Sequence, residues 1–109
     1  MISAVGIEFR IRGKDGEWPP KVVSPQTFLE RLPQRACFAE HPVVGNAAGP
    51  GMLELRRAGS ASGMPDVVLQ IEEGGFYLLD NNPTLGDLVL GEAVRYLLGY
   101  YGSVSIDEP

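Results

Sequence analysis

The chain contains a single cysteine, a single histidine and a single tryptophan among its 109 residues. One cysteine, Cys37, excludes an intramolecular disulfide framework. It also lacks the usual mark of a small secreted protein, so a reducing, cytoplasmic setting is expected. One Cys and one His cannot supply a structural zinc cage, which takes about four ligands. Basic side chains are scarce: nine Lys and Arg stand against fourteen Asp and Glu, a net charge of −5. Nucleic acid is gripped mainly by neutralising phosphates, so no nucleic-acid partner is expected. Arg56–Arg57, the one adjacent basic pair, reads as a solvated strand end. Long apolar runs are missing too. Leu85 to Tyr101 is broken by Asp87, Glu92 and Arg95, which argues against a membrane span. Met1 to Val5 show no basic region leading into an apolar stretch, so no signal peptide is expected.

Chain breakers are plentiful, with fourteen Gly and nine Pro, and they predict short strands joined by many turns. Val5, Ile7, Phe9 and Ile11 alternate with Gly6, Glu8, Arg10 and Arg12, the period of a half-buried strand. Gly13 to Gly16 supply turn chemistry, and Lys21 to Val23 offer a brief edge pairing. Ser24 followed by Pro25 predicts a helix start, with Phe28, Leu29 and Leu32 turned inward and Pro33 as the stop. Residues 34–51 show no clear period; His41 to Gly45 suit a short extended piece, and Gly49-Pro50-Gly51 a loop. Met52–Arg57, Asp66–Glu73 and Phe76–Asp80 alternate again, the last two joined by a Gly74-Gly75 hairpin signal. Ala58 to Pro65 read as a small-residue loop.

Thr84 with Asp87 has capping-box spacing and opens the main helix. Leu85, Leu88, Val89, Ala93, Leu97 and Tyr100 share one face of it; Asp87, Gly91 and Arg95 lie on the other. Gly99 or Gly102 stops it, and Val104 and Ile106 suit a last short strand. The expected fold is α+β: a two-layer, mainly antiparallel sheet of four to six short strands carrying one short and one long helix. Residues 1–106 form one domain, and 107–109 a frayed acidic tail.

Candidate chemistry is thin. Cys37 and His41 have the residue types of a nucleophile and its base, but Pro33 and Pro42 bracket them, and Cys37 between Ala36 and Phe38 reads as a small core residue. Gly59 to Gly63 place Ala61 where a nucleophile elbow needs serine. Gly45 to Gly51 have no Lys-Ser/Thr ending and precede a strand, unlike a phosphate loop. Asp80 to Asp87 space oxygen ligands as a calcium loop does, but Gly91 stands where the bidentate Glu belongs. No enzyme, metal or cofactor is expected.

The distinctive feature is charge layout. Residues 1–65 carry a net +2 and residues 66–109 a net −7. Such asymmetry steers a basic partner to one side of a molecule. The candidate contact residues are Glu72, Glu73, Tyr77, Asp80, Asn82 and Asp87. In its size, acidity and strand–hairpin–helix finish around Ile71-Glu72-Glu73-Gly74-Gly75-Phe76-Tyr77-Leu78-Leu79-Asp80, the chain resembles bacterial immunity proteins of polymorphic toxin systems, those of contact-dependent inhibition and type VI secretion. That resemblance implies a non-enzymatic inhibitor that neutralises a cognate, basic toxin domain through an acidic surface. The alternative is an accessory or scaffolding subunit that self-associates through an edge strand or an apolar helix face. Either reading allows a monomer or a homodimer.

Overall fold

A computed structural model describes residues 6–13, 18, 24–59 and 63–108. The N-terminal five residues, most of the Gly13–Gly16 turn, the Lys21–Val23 edge and the middle of the Gly59–Gly63 turn lie outside them. Six strands and two helices follow in the order β1 (Ile7–Gly13), α1 (Pro25–Arg31), β2 (Val43–Gly49), β3 (Met52–Arg57), β4 (Val67–Glu72), β5 (Gly75–Asp80), α2 (Pro83–Tyr101) and β6 (Val104–Asp107). The strands form one antiparallel sheet ordered β2-β3-β4-β5-β1-β6. The fold is α+β, one sheet with a short and a long helix.

Alternation sorts each strand into two faces. Ile11 pairs with Phe76, Leu69 with Leu78 and Leu53 with Leu69, so these side chains share the helix-bearing face and are buried. Glu8, Arg10, Glu54, Gln70, Glu72 and Tyr77 take the opposite face. β2 through β5 run as a four-stranded meander, and β1 inserts between β5 and β6. Since β5 and β6 both run antiparallel to β1, they are parallel to each other, and α2 makes the crossover between them.

The helix stripe is close to the expected one. Leu85, Val89, Ala93 and Leu97 are buried, and Asp87, Gly91 and Arg95 are exposed. Leu88 and Tyr100 are only half-buried. The cap differs: Asn82 is the N-cap, its side chain accepting from the Leu85 N–H at 3.5 Å, so Thr84 sits inside the helix and forms no capping box. Gly102, at φ 74°, is the left-handed stop. Ser24 caps α1 by position, with Pro25 at the first turn, but makes no side-chain cap bond. A 3₁₀ turn (Leu32–Gln34) follows α1 directly, with Pro33 inside it, and a second spans Ala36–Phe38.

Two further boundaries shift. The hairpin turn is Glu73-Gly74, one residue earlier than the Gly-Gly signal, because Gly75 joins β5 opposite Arg12. A Cβ on Gly75 would run into the Ile11 carbonyl, so only glycine fits there. The irregular stretch before Met52 is mostly strand: β2 has seven residues.

α2 presses on the sheet through Gly86, where a Cβ would overlap the buried Asp80 carboxyl, whereas Gly91 faces open space. Gly86→Ala should therefore lower stability by about 1–3 kcal/mol through overpacking. Gly91→Ala should raise it by up to about 1 kcal/mol through helix propensity. Urea denaturation of both variants checks the contrast, and equal effects would contradict this packing.

Candidate binding surfaces

The candidate residues fall into two groups at opposite ends of β5. Glu72, Glu73 and Tyr77 lie toward the β4–β5 turn; Asp80, Asn82 and Asp87 lie where β5 hands over to α2. Five residues of strand set Glu72 and Glu73 on the order of 17 Å from Asp80, and Tyr77, three residues before Asp80, points to the opposite face of the sheet. They do not make one patch.

Within the first group, Glu72 is tied to Arg10, with Nε 3.3 Å from its Oε1. The Tyr77 phenol donates to the Glu8 carboxylate. Burial, then that hydrogen bond, pushes the Tyr77 phenol up to about 12. Glu73 is exposed in the turn. In the second group Asp80 is buried, 7% exposed, and accepts the Asn82 amide at 2.9 Å. Burial raises its carboxyl above the usual range, and the Asp87 charge adds to this, while the Asn82 bond pulls the other way. Asn82 is also occupied: besides capping α2, its side-chain amide donates to Asp66 at 3.3 Å. Asp66 in turn accepts the Arg57 amide at 2.8 Å. This set of bonds joins the ends of β3, β4 and β5 to the start of α2. Asp87 is exposed.

Cys37 and His41 have different surroundings. Cys37 is half-buried against the core beside Glu92 and Arg35, and burial, then the Glu92 charge, raises its thiol. A raised thiol stays protonated and is a poor nucleophile. His41 is exposed and lines a hollow of about 430 Å³ with Arg57, Asn82 and Thr84. Among the described residues no three His, Cys, Asp or Glu side chains group as a metal cage would, and no helix is long and apolar enough to cross a membrane.

Two features lay outside the sequence-based expectations. The first is the free edge of β2. Beyond Val43 every residue of this strand is exposed, and none carries a charge. The Ala58 amide donates to the Pro42 carbonyl at 2.9 Å, which marks Pro42–Ala58 as a hydrogen-bonded pair. Antiparallel pairs alternate, so Val44 and Asn46 bond to β3, while the amide and carbonyl groups of Val43, Gly45 and Ala47 point away from the sheet. Those outward groups have no partner among the described residues. A register shift between Ala47 and Gly49 ends the regular edge at Ala47. Along its helix-bearing side runs a groove of about 470 Å³ between α1 and β2, with Leu29, Pro33, Val43 and Leu53 as its apolar lining and Gln26, Glu30 and Gln34 at its rim.

The second is Glu92, buried on the apolar stripe of α2. Arg35 donates to it through Nε, and Arg95 Nη1 lies 3.6 Å from its other oxygen. A buried carboxylate stripped of its partners costs about 3–5 kcal/mol, so these two arginines are part of the fold. The position was legible in principle, because Glu92 lies seven residues after Leu85 and so on the same helical face.

No family model, curated protein or solved structure matches the chain.

Asp80 makes a pH prediction. Its carboxyl is raised in the folded chain, so its contribution is most favourable below the unfolded carboxylate range and is lost as pH rises through the folded value. Asp80→Asn keeps an acceptor for the Asn82 amide and removes the buried charge. The variant should be more stable than the parent at neutral pH and equal to it at strongly acid pH, by urea denaturation at both. A gap that grows on acidification would contradict the burial argument.

Proposed function

We propose that the chain works by binding, and that it joins a second copy of itself through β2 as an accessory or scaffolding subunit. The observation that supports this best is the outward row of backbone groups at Val43, Gly45 and Ala47, unpaired among the described residues, on a strand with no charged side chain. Proteins usually guard a free edge with lysine, proline or an inward charge, because an open edge templates another strand. Here the guarding device is the irregularity after Ala47, which leaves five residues clear.

The edge is complementary to itself. A two-fold axis perpendicular to the sheet through Gly45 sets Gly45 opposite Gly45 and Val43 opposite Ala47 of the second copy. All three pairs then exchange N–H and carbonyl groups, as hydrogen-bonded antiparallel pairs do. Paired side chains share a face, so each Val43 comes to lie beside Ala47 of the other copy, over the apolar lining of the groove under Leu29 and Pro33. No like charges meet across the seam. Closed two-fold dimers are the commonest oligomers. A reducing cytoplasm, where Cys37 stays a thiol, suits this reading.

A second reading is favoured by the exposed Glu73 and Asp87 and by the acidic composition of residues 66–109. It is the one the immunity-protein resemblance implies: capture of a basic toxin domain by carboxylates. Asp80 is too buried to serve it, and Glu72 is tied to Arg10, so Glu73 and Asp87 would carry the contact.

Sedimentation equilibrium separates the two. The edge reading predicts a monomer–dimer equilibrium that responds little to salt, since no exposed charges drive it. Ala47→Pro removes an outward N–H without touching the β3 ladder, and should weaken the dimer about tenfold or more. Val44→Lys should act in the same direction. A monomer at every concentration, or a dimer indifferent to Ala47→Pro, would overturn the edge reading. Association that fades with salt and with Glu73→Lys and Asp87→Lys together would support the acidic one.

A further inference from the structure

We propose that the hollow between α1 and α2 is a binding site for an oxyanion joined to a flat apolar body, an aromatic phosphate or carboxylate. The hollow measures about 200 Å³ and is lined by Thr27, Phe28, Arg31, Arg35, Tyr96 and Tyr100. Its apolar wall is built of rings. Phe28 stacks on Tyr96 with centroids 4.4 Å apart and planes 24° from parallel, and Tyr100 meets Tyr96 edge-on at 5.3 Å.

Two arginines, Arg31 and Arg35, line the same hollow. Glu92, with its side chain 8% exposed, receives the Arg35 Nε–H and so fixes that guanidinium at one end. The Nη groups of Arg35 have no acceptor among the described residues. Arg31 has no carboxylate partner there either. Glu92 is already shared with Arg95, so a single buried negative charge serves two arginines, and among the described residues no other carboxylate pairs with Arg31 or Arg35. Glu30, the sequence neighbour of Arg31, lines the β2 groove instead.

These parts specify the ligand. A guanidinium fork matches a carboxylate or phosphate with two parallel donors. Aromatic side chains beside a guanidinium favour a flat apolar body next to the anion. The volume lies below the roughly 300–1,000 Å³ of drug-sized pockets, so the occupant is the size of one side chain. On a chain of net charge −5, this hollow is a local basic site. It owes nothing to the β2 edge reading and stands or falls separately.

The test titrates the full chain with phenyl phosphate, benzoate, inorganic phosphate and phenol, followed by amide chemical shifts. Phenyl phosphate or benzoate should saturate shifts at Phe28, Arg31 and Tyr96, and the tighter of the two tells whether phosphate or carboxylate is preferred. Inorganic phosphate and phenol, each holding half of the recognition, should bind at least about tenfold more weakly. Arg31→Gln, at an exposed position, should keep the fold and weaken binding about tenfold; Arg35→Gln should weaken binding similarly at some cost in stability. If Arg35→Gln unfolds because Glu92 loses a partner, Arg31→Gln alone decides. Failure of both aromatic anions to saturate, equal binding of inorganic phosphate, or full affinity in Arg31→Gln would overturn the proposal.

Discussion

Phe76 is the side chain on which the layers of the fold converge. It is fully buried in β5, and it touches the ring of Phe28 from α1, Tyr96 from α2 and Trp18 from the segment after β1, with centroids 5.4–5.9 Å apart. Burying it contributes about 1.5–3 kcal/mol, and each ring pair adds about 0.5–1.5 kcal/mol. The Trp18 indole N–H also donates to the Glu72 carbonyl at 2.9 Å, which ties Trp18 to the end of β4. Both helices are thereby held on one face of the sheet, over its middle strands.

That placement has a geometric consequence. α2 covers β5, β1 and β6 and touches β4, and the seven-residue α1 reaches β3 and β4. β2 packs mainly on its neighbour β3 and the 3₁₀ turn at Pro33, and among the described residues nothing pairs with its outer edge. A chain with two helices, one of them two turns long, does not cover six strands. The edge reading follows from this shortage of cover. The acidic reading depends instead on carboxylates that the fold disperses, pairs or buries. The hollow at Arg31 and Arg35 belongs to the same helix placement, since residues of α1 and α2 line it beside the Phe28–Tyr96 stack.

Strands with mixed composition were legible because alternation of apolar and polar side chains registers burial directly. Met52 to Arg57 and Val67 to Glu72 follow it, Ile7 to Arg12 follows it except at the exposed Ile7, and the main helix follows its own period. β2 escaped because Gly45, Ala47, Ala48 and Gly49 have too little side chain to show which face is buried; their strand state comes from pairing with β3. The α2 cap was misassigned to Thr84 because Asn82 and Thr84 are both good caps, and the Asn82 contact with Asp66 is tertiary. For the candidate site, the sequence showed which groups carry charge but not their partners. Arg10–Glu72 and Arg35–Glu92 join residues about sixty positions apart, and no local pattern encodes such pairs. Asp80 looked like a surface acid because a strand end beside Asn81, Asn82 and Pro83 reads as a loop, whereas Gly86 lets α2 close over it.

Amide hydrogen exchange along β2 tests the central claim most directly, because it reads the outward backbone groups one by one. In dilute solution Val44 and Asn46, bonded to β3, should exchange slowly, and Val43, Gly45 and Ala47 should exchange fast. On concentrating the chain, these three should become protected while the other two change little. Uniform protection at all dilutions, or no gain at Val43, Gly45 and Ala47 on concentration, would contradict an open edge that pairs with its own kind.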